Sequence, residues 1–299
     1  MTSASDFAKG INALWIGMVT RAANDPTRQS APHALRALGH PKVLAFICIA
    51  VLVATGWIYL GLLVAGMSGV GVLEALCRPS FGAQGGWSLA QAGLVLSMWC
   101  AMALAMMLPT AGPMILTYAD LAETAAKKGE PAASPLVLTA GYVSIWLGAA
   151  SVFAATQLLL ARLAVLDPAM ATASPLFSGA VFIGAGLYQF SALKHACVTQ
   201  CQHPFRFFFV NWTADPRGVF RLGFRQGLYC LGCCWAMMLL MFAVGVMNVI
   251  WMAALGAIMA VEKINSTTRF SRALGALFVL IGIAFIVTSV VAHWPMKNT

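Results

Sequence analysis

Hydrophobic and polar positions divide the chain into long apolar runs joined by short basic connections. Runs long enough to span a bilayer lie at about 43–66, 88–108, 136–160, 174–194, 226–245 and 271–292, with a shorter one near 247–262. The stretch from Gln226 to Val261 is too long for one span, and Gly245 to Asn248 offers a place to turn, so it reads as a tight helical hairpin. The pattern predicts an all-α, polytopic helical membrane protein with about seven transmembrane helices.

Three segments result: a cytoplasmic N-terminal arm at 1–42, a single transmembrane helical domain at 43–292, and a short tail at 293–299. In the arm, Phe7, Ile11, Leu14, Trp15 and Met18 keep a helical period, which suits an amphipathic helix lying on the membrane. Pro26, Pro32 and Pro41 interrupt any helix beyond that stripe. The arm is polar and carries Arg21, Arg28, Arg36 and Lys42, so no cleavable signal peptide is expected.

Composition agrees with this class, since 61% of residues are hydrophobic and only 9% charged, too little charge for an ordinary soluble domain. The formal charge of +9 is unevenly placed. Lys127 and Lys128, then Lys194, Arg206, Arg217, Arg221 and Arg225, then Lys263, Arg269 and Arg272 fall in alternate connections; those between hold only Arg78 and Arg162. Counting Lys and Arg near the spans puts the N-terminus in the cytoplasm and, with seven helices, the C-terminus in the periplasm of an inner-membrane, multi-pass protein. The positive charge therefore faces lipid headgroups, making the bilayer the expected partner and excluding nucleic acid.

Soft ligands supply the candidate chemistry. Cys230, Cys234, Met237 and Met241 share one helix face over roughly 16 Å, with Cys233 and Met238 alongside. Thiols and thioethers suit Cu(I). Methionine is also a flexible core filler and cysteine a small buried hydrophobe, so packing explains any single one of them. The group is harder to explain that way, because Cys230, Cys233 and Cys234 sit together directly before the methionines. Cys197 and Cys201, four residues apart, are expected on the same side of the membrane. The reducing cytoplasm favours a metal site there over a disulfide. Cys-x3-Cys followed by Cys-x2-Cys-Cys supplies enough sulfur for a closed tetrathiolate, with His203 or His195 available to replace one ligand. A second soft patch repeats every fourth residue at Met98, Met102 and Met106 and is placed to face the first.

Glu262-Lys263 falls at the cytoplasmic boundary, where Lys263 reads as an interfacial anchor. Glu262 has three openings: pairing with Lys194, acting as a hard ligand, or taking protons released when thiols bind metal. Gln189 and Asn248 read as polar bridges between helices, and Gly141, Gly148, Gly179, Gly184 and Gly186 as points of close helix approach. Cys48, Cys77 and Cys100 are assigned to no site.

Several short motifs together resemble a family of bacterial membrane proteins known as a domain of unknown function and described as predicted metal-binding integral membrane proteins. The resemblance covers roughly residues 90–290. It rests on Met98-Trp99 with Met102 and Ala105-Met106-Met107-Leu108-Pro109, on Gly186-x-Tyr188-Gln189 with Lys194 and Cys197-x3-Cys201-x2-Pro204, on Gly227-x2-Cys230-x2-Cys233-Cys234-Trp235-x2-Met238, and on Gly245-x-Met247-Asn248 ending in Glu262-Lys263. It implies a bound metal and no stated activity.

The leading functional reading is a membrane protein that handles Cu(I), by binding, transfer or transport, through a cytoplasmic Cys/His cluster and Met-lined helices. A copper chaperone or a copper-dependent membrane enzyme is its expected protein partner. Two others stand beside it: a membrane oxidoreductase using Cys230/Cys233 or a metal, and an assembly subunit with a structural zinc site. No residue is assigned a catalytic role, which favours a protein that is not an enzyme.

Overall fold

A computed structural model describes residues 41–67, 89–163, 174–246, 248–264 and 268–293, all helices and short connections among the described residues. The helices are α1 (Pro41–Met67), α2 (Leu89–Lys127), α3 (Pro135–Arg162), α4 (Pro175–Tyr188), α5 (Ala192–Gln202), α6 (Pro204–Val210), α7 (Pro216–Val244), α8 (Val249–Ile264) and α9 (Thr268–His293). The amphipathic stripe of the N-terminal arm, Cys77, Met247 and the tail beyond His293 lie outside the described residues.

Local sequence explains most helix ends. Proline opens α3, α4, α6 and α7, where its missing N–H costs nothing. The side chains of Ser134, Ser191 and Asp215 cap α3, α5 and α7 by accepting from Leu136 N at 3.2 Å, Lys194 N at 3.2 Å and Gly218 N at 2.9 Å. Gly245, with φ of 99°, ends α7 in a conformation that glycine adopts without strain. The expected turn at Gly245 to Asn248 is therefore present. Asn248 does not bridge helices there: its Oδ1 accepts from Trp251 N at 3.2 Å and so caps α8.

The expected count of about seven spans is not reached among the described residues. Four helices are long and apolar enough to cross a membrane, namely α2, α3, α7 and α9 over Thr268–Val291, or five if α4 and α5 form one span. α4 and α5 meet at a 63° bend, so the apolar run at 174–194 breaks into two pieces. The shorter run becomes α8, whose 16 residues rise only about 24 Å against a core of about 30 Å. In the first run, the apolar helix described is Phe46–Leu62.

Two glycine seams set the tightest contacts. α3 packs against α7 where a Cβ on Gly141 would strike the backbone of Phe220 and Phe224, and one on Gly223 the backbone of Leu138. α4 packs against α9 where Gly179 opposes Gly282 and Gly186 opposes Gly275. Small residues permit this approach, as expected for Gly141, Gly179 and Gly186; Gly148 and Gly184 face open space instead. α2 lies along α1 and α3, and its far end meets α6 through Tyr118 on Phe208, ring centroids 5.4 Å apart.

Candidate functional site

The site is built on α7, with α3, α5, α8 and the middle of α2 closing around it. Cys230, Cys233 and Cys234 are all buried, because the face that carries them is the one α7 turns toward its neighbours. Cys233 Sγ lies 3.3 Å from Cys234 Sγ and donates to the carbonyl of Cys230 at 3.1 Å. The Cys233 thiol also interacts with those of Cys230 and Cys201. The α5 and α7 cysteines are thus brought together in part: Cys201 reaches the group half-buried, while Cys197 is buried with its Sγ against Gly232.

Cys230 is the best-connected thiol. Tyr142 Oη lies 3.0 Å from its Sγ, and Lys263 Nζ donates to the same sulfur at 3.0 Å. Lys263 also donates to Thr110 Oγ1 at 2.6 Å, and Tyr142 Oη to the carbonyl of Met107 at 3.2 Å. Lys263 is therefore not an interfacial anchor but the cation of a thiol site. Tyr142 and Thr110 went unread because an isolated hydroxyl in an apolar helix looks like packing. The signal for Thr110 lay in its position between Pro109 and Pro113 within α2.

Immediately beside this cluster is a second polar knot. Lys194 Nζ pairs with Glu262 Oε2 at 2.7 Å and donates to the carbonyl of Cys233 at 3.0 Å. Ser271 Oγ donates to Glu262 Oε1 at 2.5 Å, and Gln202 Nε2 to the carbonyl of Glu262 at 2.9 Å. Of the three openings foreseen for Glu262, pairing with Lys194 is the one taken. Tyr188 Oη donates to the carbonyl of Gly232 at 2.5 Å, and its ring stands edge-on to Trp235 at 5.0 Å. The short motifs scattered from Tyr188 to Lys263 thus converge on the cysteine turns of α7.

The methionines lie within the packed core. Met102 and Met106 on α2, and Met237, Met238 and Met241 on α7, are all buried, with Met98, Met107, Met252 and Met259. Met106 packs toward Gly256 of α8. α2 and α7 also meet through Trp99 and Phe242, whose rings are 5.4 Å apart; Trp99 Nε1 donates to Gln157 Oε1 at 2.6 Å.

His203 takes a different position. It is exposed at the end of α5 and lines a surface pocket with Arg206, Arg225 and Tyr229. Among the described residues no group of three or more Cys, His, Asp or Glu side chains is arranged to hold a metal ion. The closed tetrathiolate that the spacing suggested is therefore not preformed; the thiols bond to one another, to a carbonyl, to Tyr142 and to Lys263. Such a set offers soft donors beside a fixed positive charge.

Comparison with known proteins places this chain. No curated protein and no solved structure matches it. A family model described as PpoB2, copper chaperone, matches residues 96–285, which span α2 to α9 and contain every cysteine and methionine of the site. The chain belongs to the PpoB2 copper chaperone family.

Proposed function

We propose that the protein is a multi-pass inner-membrane copper chaperone that takes Cu(I) as cargo at the α7 thiols. Cys230, Cys233 and Cys234 form the receiving group, Cys201 and Cys197 flank it on α5, and His203 stands at the outer approach. Met102, Met106, Met237, Met238 and Met241 then supply neutral thioethers through which Cu(I) passes or in which it is held. The basic ends of α2, α7 and α9 support a cytoplasmic position for the cysteine end, with the N-terminus inside and the C-terminus outside. A copper-dependent enzyme or a second chaperone is the partner on the far side of the transfer.

The observation that carries this reading is the contact of Lys263 Nζ with Cys230 Sγ at 3.0 Å within a group of buried thiols. Two thiolates on one Cu(I) leave a net negative charge, and an ammonium in contact with them offsets it where water is excluded. A tight cage would retain the metal, whereas an incomplete, hydrogen-bonded thiol group gives it up to the next soft donor.

Anaerobic Cu(I) loading of the purified protein tests this. Wild type is expected to bind copper in near-integral amount, and Cys230→Ser with Cys233→Ser to lose most of it. Because thiol ligands must give up their protons, occupancy is expected to fall as pH is lowered. Unchanged copper in the double variant would return the thiols to core packing. Integral zinc that copper fails to displace would make the site structural.

A further inference from the structure

A pocket of about 300 Å³ opens at the surface between α5, α6 and the N-terminal half of α7, where Gln200, His203, Arg206, Phe207, Asn211 and Arg225 line it. Among the described residues no carboxylate lines it. Arg225 is held in place: its Nη1 donates to Asn211 Oδ1 at 3.3 Å, and its guanidinium carbon sits 5.6 Å from the centre of the Phe207 ring. That one bond leaves most of its five N–H donors for a ligand. Arg206 and His203 are exposed at the same opening, and Arg217 and Arg221 continue the exposed basic face of α7 at four-residue spacing.

The surroundings fix the depth of this pocket. On α6, Phe205, Phe209 and Val210 are exposed, the two phenylalanine rings stack with centroids 6.1 Å apart, and Trp212 is exposed just beyond them. Aromatic residues exposed beside arginines mark the level where acyl chains give way to headgroups. Two guanidiniums at that level supply positive charge and, with an imidazole, N–H donors of the kind a phosphate ester accepts.

We propose that this pocket binds the phosphate of an anionic phospholipid headgroup, seated by Arg206, Arg225 and His203, with the acyl chains lying along the exposed phenylalanines of α6. The proposal rests on the membrane placement of the copper chaperone. Its occupancy would brace α5, since Gln200 shares the pocket and its carbonyl accepts from Gln226 Nε2 of α7 at 3.2 Å, one residue before Cys201.

The test titrates detergent-solubilised protein with phosphatidylglycerol, phosphatidylcholine or inorganic phosphate, and counts bound adducts by native mass spectrometry. One phosphatidylglycerol is expected to bind in preference to phosphatidylcholine, with inorganic phosphate weak. Arg206→Gln with Arg225→Gln should weaken phosphatidylglycerol roughly thirtyfold, the expected effect of removing two interfacial cations. Arg269→Gln with Arg272→Gln, an equal loss of charge elsewhere, should leave it unchanged. Arg206→Gln alone, at an exposed side chain, serves if the double variant does not fold. Equal binding of the two lipids, or equal loss in both double variants, would overturn the proposal. Full occupancy by inorganic phosphate alone would replace the lipid with a soluble anion and overturn it likewise. Release of the protein from membranes by alkaline carbonate would instead defeat the membrane placement itself.

Discussion

Two lysines at the same end of the bundle show what is fixed in this molecule and what is held ready. Lys194 is buried against Glu262 at 2.7 Å, and that carboxylate is held in turn by Ser271. Lys263 is the next residue after Glu262 in the chain, yet it donates to a thiol and a hydroxyl, and among the described residues no carboxylate pairs with it. The first site is electrically closed and joins α5, α8 and α9. The second is electrically open, and the group it touches is a metal-type ligand. Adjacent residues of one helix, Glu262 and Lys263, thus serve a structural knot on one side and the buried thiol cluster on the other.

Breaking the closed site should cost most. Glu262→Ala leaves the Lys194 ammonium buried without its counter-ion, for an expected loss of about 3–5 kcal/mol. Thermal unfolding in detergent reads that loss, and Lys194→Met introduced with Glu262→Leu should recover much of it, because a well-packed apolar pair often matches a buried ion pair. A variant as stable as wild type would mean that water or another group already satisfies Lys194.

At the open site the order of effects should reverse. Lys263→Met keeps much of the side-chain length and removes the charge without stranding a buried counter-ion, so the fold is expected to lose less than it does in Glu262→Ala. Cu(I) retention should fall by about tenfold, the order of one lost charge-assisted contact. Competition with a Cu(I) chelator measures it. If Lys263→Met destabilises the fold as Glu262→Ala does and leaves copper retention intact, the two lysines are equivalent structural cations and the contrast fails.

Per site, the smallest effect on the fold belongs to the thioethers. Replacing Met102, Met106, Met237 and Met241 with Leu nearly conserves volume and helix preference, at less than about 1.5 kcal/mol per site. The cysteine end should keep its copper, while copper tolerance or delivery to a copper enzyme in cells declines. Wild-type behaviour from a folded, inserted variant would make these methionines packing alone.

Much of the fold was legible because its causes are local. Apolar runs, the prolines opening α3 and α7, the Asp215 cap and Gly245 at the end of α7 act within a few residues of where they stand. The cysteine and methionine stripe of α7 needed only the helical period, and its burial agrees with that period in an apolar segment. The number of crossings was harder, because a hydropathy run carries no record of where a helix bends. The 63° break between α4 and α5 depends on what packs on either side.

What sequence alone determined here is the all-helical class and the soft-ligand face of α7. What only the tertiary structure decided is which groups meet that face. Lys263 reaches Thr110 across 153 positions and Cys230 across 33, Tyr142 reaches Cys230 across 88, and Lys194 finds Glu262 across 68. A lysine at a helix end in an apolar sequence reads as an anchor for headgroups, and nothing within a turn of it says otherwise. The glycine seams draw α3 against α7, and the packing of α8 beside them sets that ammonium on a sulfur. His203 shows the converse: its spacing from Cys201 made it a ligand in sequence, and the end of α5 turned it outward among arginines. Helical periodicity fixes the face a residue occupies on its own helix, whereas its partner is chosen by long-range packing that no local pattern encodes.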